Sequence, residues 1–143
     1  FETAQAIINK LRSQIEPTTL VLKEFHIELQ PGENYAGPVL DESGKVVHHL
    51  VLMAPCPDEK PAWQPAMDWA QSVGGTLPTR QEQALLYANC KPHLKPEWHW
   101  SCETDKDDAS SAWRCTFIRS TQSTTHKSYE GSAVAVRLIP LTA

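Results

Sequence analysis

The run Pro65-Ala66-Met67-Asp68-Trp69-Ala70-Gln71-Ser72-Val73-Gly74-Gly75-Thr76-Leu77-Pro78-Thr79-Arg80-Gln81-Glu82 joins two helices and decides how the rest of the chain is read. Pro65 sits near the first turn of a helix, where its missing N–H costs nothing. Ala66, Trp69, Ala70 and Val73 follow at i, i+3, i+4 and i+7, one apolar face, and Gly74-Gly75 supply the C-terminal exit. Thr79, with Glu82 three residues on, is a capping box. It predicts a second helix through Leu85, Leu86 and Ala88, closed by Pro92.

Upstream, residues 2–16 read as one amphipathic helix. Ala4, Ile8, Leu11 and Ile15 form a single apolar seam, Glu2, Lys10, Arg12 and Glu16 stay polar, and Pro17 stops it. Such a narrow seam either packs on its own domain or joins subunits as a short coiled coil, and two heptads do not choose between these. Residues 18–29, rich in β-branched and apolar side chains, predict a strand, and Gln30-Pro31-Gly32-Glu33-Asn34 is turn chemistry. Residues 35–40, the Asp41-Glu42-Ser43-Gly44 turn and residues 45–53 predict a hairpin. His48 and His49 alternate across its second strand, which predicts one buried, satisfied imidazole and one exposed. Residues 55–61 read as a loop.

Downstream, residues 97–139 read as short strands between polar loops. Trp98, Trp100 and Cys102 share one strand face, as do Trp113, Cys115 and Phe117. Residues 119–128 are almost wholly polar and read as a loop or hairpin tip, and residues 133–139 as an apolar closing strand. The organisation expected is an N-terminal helical arm, residues 1–17, and one α+β domain, residues 18–143.

At 143 residues the chain should bury about 70% of its unfolded surface. Its 13 Lys+Arg against 17 Asp+Glu, net −4, argue against a nucleic-acid backbone as partner. A mean hydropathy of −0.40 and the lack of any long apolar run argue against a membrane span. Glu2, Lys10 and Arg12 break up any secretory hydrophobic region at the start. Five Trp stand at 63, 69, 98, 100 and 113. Parity and order put Trp69, one of Trp98 and Trp100, and Trp113 in a core, leaving Trp63 and the other of the pair for contact. Cys56, Cys90, Cys102 and Cys115 lack CxxC spacing, which favours reduced thiols. A Cys102–Cys115 disulfide is the rival reading, and zinc has no support from spacing.

The order Trp69, Gly74-Gly75, Leu77-Pro78-Thr79-Arg80, Glu82, Leu85, Trp98-His99-Trp100-Ser101, Ala112-Trp113, Phe117 and Val134-Ala135-Val136-Arg137 resembles a domain-of-unknown-function family. That family belongs to phage and bacterial surface proteins and is related to the C-terminal domain of a collagen-like adhesin. Its pattern has a GG-x-LPT-x-x-E-L segment, a WSS strand and a terminal VR strand. The resemblance covers residues 35–140 and implies a C-type-lectin-like domain, shared with formylglycine-generating enzymes. Such a domain has two short helices and a twisted, mostly antiparallel sheet, here preceded by the N-terminal amphipathic helix. Cys102 departs from the family's small hydroxyl residue after the Trp–Ser pair, and nothing in the resemblance reaches residues 1–30.

No G-x-S-x-G elbow or cysteine signature frames a nucleophile. Glu103, Asp105, Asp107 and Asp108 could supply Ca²⁺ oxygens, but the Gly and closing Glu of an EF-hand loop are missing, so a solvated acidic loop is expected. No metal or cofactor is expected. The resemblance implies a ligand face built from the loops after the Trp–Ser strand and before the final strand, drawing on His99, Glu103, Arg114, Thr116, Arg119, His126, Lys127 and Tyr129. Arg, Tyr and His among small hydroxyls suit protein recognition, though polar surface loops by default look the same. The expected function is a non-enzymatic binding module, phage- or prophage-encoded, for a protein or surface ligand. Two roles are open: a virion component multimerised through the first helix, or a host-cytoplasmic accessory protein that blocks a host factor. The acidity and thiols lean to the cytoplasm. An enzyme using Cys102 or Cys115 is the outside alternative.

Overall fold

Both helices around the Gly74-Gly75 exit form. A computed structural model describes residues 3–15, 17, 19, 21 and 24–141, with backbone alone for 13–15. Helix α1 spans Ala4–Ile15, α2 Trp63–Ser72 and α3 Arg80–Cys90, followed by a 3-10 turn at Lys91–His93. The strands are β1 (Asn34–Leu40), β2 (Val46–Leu52), β3 (Trp98–Asp105), β4 (Asp108–Thr116), β5 (Thr121–His126) and β6 (Val136–Pro140). The fold is α+β, with two antiparallel three-stranded sheets ordered β1-β2-β6 and β3-β4-β5 rather than one.

Gly74 takes φ +87°, which only glycine adopts without strain, and the Gly74 and Gly75 amides donate back to the carbonyls of Gln71 and Ala70. A Cβ on Gly75 would stand 2.8 Å from the Val136 carbonyl, so the chain can pass there only as glycine. At α3 the capping box closes in both directions. The Glu82 amide donates to Thr79 Oγ1 at 3.1 Å, and the Thr79 amide to Glu82 Oε1 at 2.9 Å. Glu82 is buried, and its second oxygen takes His48 Nε2 at 2.7 Å, tying α3 to β2.

Apolar side chains gather in two clusters. One joins Leu50 and Leu52 of β2 to Leu86, Cys90, Cys115 and Phe117; the other joins Ala66 and Ala70 of α2 to Leu77, Trp100 and Ala112. Residues 131–136 are buried throughout and serve both: Val134 and Val136 enter the first cluster, Ala133 and Ala135 the second. Their backbone is bonded on several sides, with Gly131 N to Pro61 O, Trp100 N to Ser132 O, Met53 N to Ala135 O, and Thr76 paired both ways with Val136.

Three expectations need correction, and of the two readings of the cysteines the rival disulfide does not form. No strand forms among the described residues of 18–29; residues 24–30 run without regular structure. There Phe25 stacks on His49 and the Glu28 carbonyl accepts from Arg137, so a side chain takes the place of a ladder partner. Of residues 119–128, expected as a loop or hairpin tip, 121–126 are instead β5, which pairs along its whole length with β4. The hairpin imidazoles are not one buried and one exposed: both are half-buried, His48 bonding Glu82 and His49 Nδ1 pairing with the Tyr35 hydroxyl at 2.7 Å. Cys102 and Cys115 are free thiols belonging to different clusters, as Cys56 and Cys90 are also free.

In α1, the seam residues Ala4, Ile8 and Leu11 are exposed and so do not pack on the body; the side chain of Ile15 lies outside the described residues. Among the described residues, no helix is long and apolar enough to cross a membrane.

Candidate binding face

Strand β3 lies between α3 on one side and α2 on the other, while α2 packs on β3 rather than on β4 or β5, and this determines which side chains reach solvent. Toward α3 the β3-β4-β5 sheet presents His99, Trp113, Cys115 and Gln122. Arg80 lies 3.4 Å over the Trp113 ring, its Nε donating to Gln122 Oε1 at 2.9 Å. Toward α2 it presents Trp98, Trp100 and Arg114. Register sets Arg114 opposite Trp100 on one side and Ser123 on the other, and Thr116 opposite Trp98 and Thr121.

The eight residues expected to share one face are divided by this geometry. His99 is only 1% exposed, packs against Phe117 with the rings tilted, and donates from Nδ1 to the Glu97 carbonyl at 2.9 Å. Burial pushes its pKa down to about 4, so the ring is neutral at neutral pH and stands away from the surface. Glu103 accepts from the Arg80 amide at 2.6 Å and so caps α3. Thr116 and Arg119 lie at the β4–β5 turn, while His126, Lys127 and Tyr129 lie at the far end of β5, roughly 17 Å away at strand rise.

What the structure does bring together is two tryptophans with a cation on each. Lys127 Nζ sits 4.1 Å over the Trp63 ring, whose Nε1 is fixed by the Ser101 carbonyl at 2.9 Å. The Arg114 guanidinium sits 5.1 Å over Trp98, itself edge-on to buried Trp100. Contacts of this kind contribute about 0.5–1 kcal/mol each at exposed sites and hold the cations in place. Beside Lys127, the Ser128 amide and hydroxyl meet His126 Nδ1, whose ring turns an edge to Tyr129, 62% exposed. Trp100 is the buried one of its pair and Trp98 the half-buried one. Trp113 belongs to neither core cluster and is covered by Arg80 instead.

A second concavity, a cleft of about 250 Å³, opens between the 53–60 loop, the 3-10 turn and residues 132–134. In its wall the Ser132 hydroxyl donates to Glu97, and Lys60 Nζ lies 3.1 Å from the same carboxylate oxygen. The Ser132 bond, with Lys60, holds the Glu97 carboxyl below the usual carboxylate range. Ser132 is thus bonded to a weak base, and His99 spends its Nδ1 proton on a carbonyl. These residues come from separate loops and the start of β3, and no spacing in the sequence announces them.

Burial raises the thiols of Cys90 and Cys115, and that of Cys102 to about 11, where Glu103 adds to the effect. In the acidic turn, Asp108 bonds Ser110 and Ser111, and Asp105 accepts from the Asp107 amide. Among the described residues, no three His, Cys, Asp or Glu side chains converge as a metal set. The sequence matches no protein-family model and no curated protein.

Proposed function

We propose that the chain is a non-enzymatic binding module with a C-type-lectin-like fold, recognising a protein or surface ligand through the α2 side of the β3-β4-β5 sheet. The observation that carries this reading is the pair of cation-capped tryptophans, Trp63–Lys127 and Trp98–Arg114, with exposed Tyr129 nearby. Trp, Arg and Tyr are the side chains that most often anchor protein interfaces. The order of helices α2 and α3 before three strands, enclosed by a sheet of β1, β2 and β6, supports the fold reading. The phage or prophage origin rests on the resemblance in motif order.

High thiol pKa values at Cys102 and Cys115 favour binding over cysteine catalysis, because the thiolate is the nucleophile. Two roles each have an observation behind them. The exposed seam at Ala4, Ile8 and Leu11 favours a virion component multimerised by its arm, while four unbridged thiols favour a cytosolic protein that blocks a host factor.

The test is capture of partners from host lysate by the full chain and by variants. Lys127→Ala combined with Tyr129→Ala should weaken retention of a captured partner at least tenfold, and Arg119→Ala, at the other end of the sheet, should leave it unchanged. The reverse pattern would move the binding face to the β4–β5 turn.

A further inference from the structure

The arginines of the two sheets and their flanking helices differ in how their donors are used. Arg137 reaches Glu33 at 2.7 Å and the Glu28 carbonyl at 3.0 Å, and Arg80 bonds Gln122. Arg114 is half-buried, yet among the described residues it makes no hydrogen bond and no ion pair, and its Nε is shut off from water without an acceptor. A guanidinium carries five donors in a rigid fork, and a buried donor without an acceptor is rare in folded proteins. The Trp98 ring beneath it fixes where the fork lies. Thr116, two residues along β4, and Ser123, directly opposite on β5, share its face. Neither hydroxyl bonds another described residue, so both are free to meet the same ligand as Arg114.

We infer that Arg114 is an anchor for a carboxylate on a protein partner, an acidic side chain or a free C-terminus, received by the guanidinium fork with Thr116 and Ser123 beside it. This rests on the binding-module reading and names the chemistry of its ligand. Charge complementarity supports a monoanion. Arg114 and Lys127 are cations on one face with no carboxylate in ion-pair reach among the described residues, on a chain whose net charge is −4. That net charge opposes polyanions such as nucleic acids and anionic membranes. One fork matches the two oxygens of a carboxylate in a bidentate pair, and the Trp98 ring under the guanidinium is the kind of aromatic side chain enriched at protein interfaces.

The experiment follows the Arg114 Nε–H resonance of the full ¹⁵N-labelled chain, assigned by its loss in Arg114→Lys. N-acetylglycine supplies a C-terminal carboxylate, the α-amide of N-acetylglutamic acid supplies a side-chain one, N-acetylglycinamide is the neutral control, and inorganic phosphate is the competing anion. A saturable shift with at least one carboxylate and none with the amide is expected. Followed through the Trp98 indole resonance, the affinity should fall at least tenfold in Arg114→Lys and several-fold in Ser123→Ala, with the Trp100 indole unmoved. Absence of saturation with both carboxylates, an equal response to the amide, or tighter binding of phosphate than of either carboxylate would overturn the assignment. If Arg114→Lys fails to fold, the wild-type titrations and Ser123→Ala still decide. The two proposals fail separately: a carboxylate response at Arg114 with no loss of partner in the Lys127/Tyr129 variant would keep the anchor and remove the wider face.

Discussion

His99 shows how burial can turn an expected ligand into a stability element. Its imidazole titrates at about 4 in the folded chain against 6.5 when free, because burial disfavours the charged ring. Below pH 6.5 the unfolded chain takes up a proton that the folded chain refuses until about pH 4. Stability from this residue is therefore fully present above pH 6.5 and is lost as pH falls toward 4. The wild type should lose roughly 2–3 kcal/mol more than His99→Asn between pH 7.5 and pH 4.5, measured by urea denaturation. The variant is the necessary control, because Glu33 and Glu97, with lowered pKa values, also lose stability as pH falls. Equal losses in both chains would show that His99 titrates normally. The resemblance implies a surface position for His99, and the shared inward face of Trp98 and Trp100 is consistent with one. That inference holds for a sheet with one wet face, whereas here α2 lies on one side of β3 and α3 on the other.

At the level of elements, the exposed seam of α1 yields a direct expectation. If Ala4, Ile8 and Leu11 pair between copies, light scattering should give a multimer for the full chain and a monomer for Ile8→Asp with Leu11→Asp. A monomer in both would leave the arm with no assembling role. The helices α2 and α3 and the first hairpin are legible because their signals are local: a periodic face, a capping box, a glycine exit and the Asp41-Glu42-Ser43-Gly44 turn all act within a few residues. The strand β5 was not legible. Thr121, Gln122, Ser123, Thr124 and Thr125 are polar because β5 is an edge strand, and its register comes from β4, not from its own pattern. With β5 read as a loop, Ser123 could not be placed beside Arg114. The candidate residues Arg114 and Lys127 were visible as types, but their seating on Trp98 and Trp63 depends on contacts distant in sequence.

For the molecule as a whole, the four cysteines report on how the body closes. Cys56 is exposed, Cys90 and Cys115 are buried, and Cys102 is half-buried with a raised pKa. One thiol should therefore react rapidly with an aqueous aromatic disulfide at pH 8, and the other three only after unfolding in urea. Cys56→Ser should remove the fast phase, and intact mass should not change on reduction. Two or more fast thiols in the native chain would contradict the packing of both clusters. The division into two sheets had no local sign, because β6 joins β2 across more than half the chain.

Residues 131–136 carry a consequence for how the protein comes into being. They feed apolar side chains to both clusters and bond backbone from the 53–61 region, Thr76 and β3, so neither sheet is finished without them. During synthesis the ribosome delivers β1 through β5 first, and until this hexapeptide emerges the apolar surfaces of both clusters remain partly wet. The nascent protein therefore has a late closing step, and its vulnerability to proteases and to self-association is concentrated in the interval before that step.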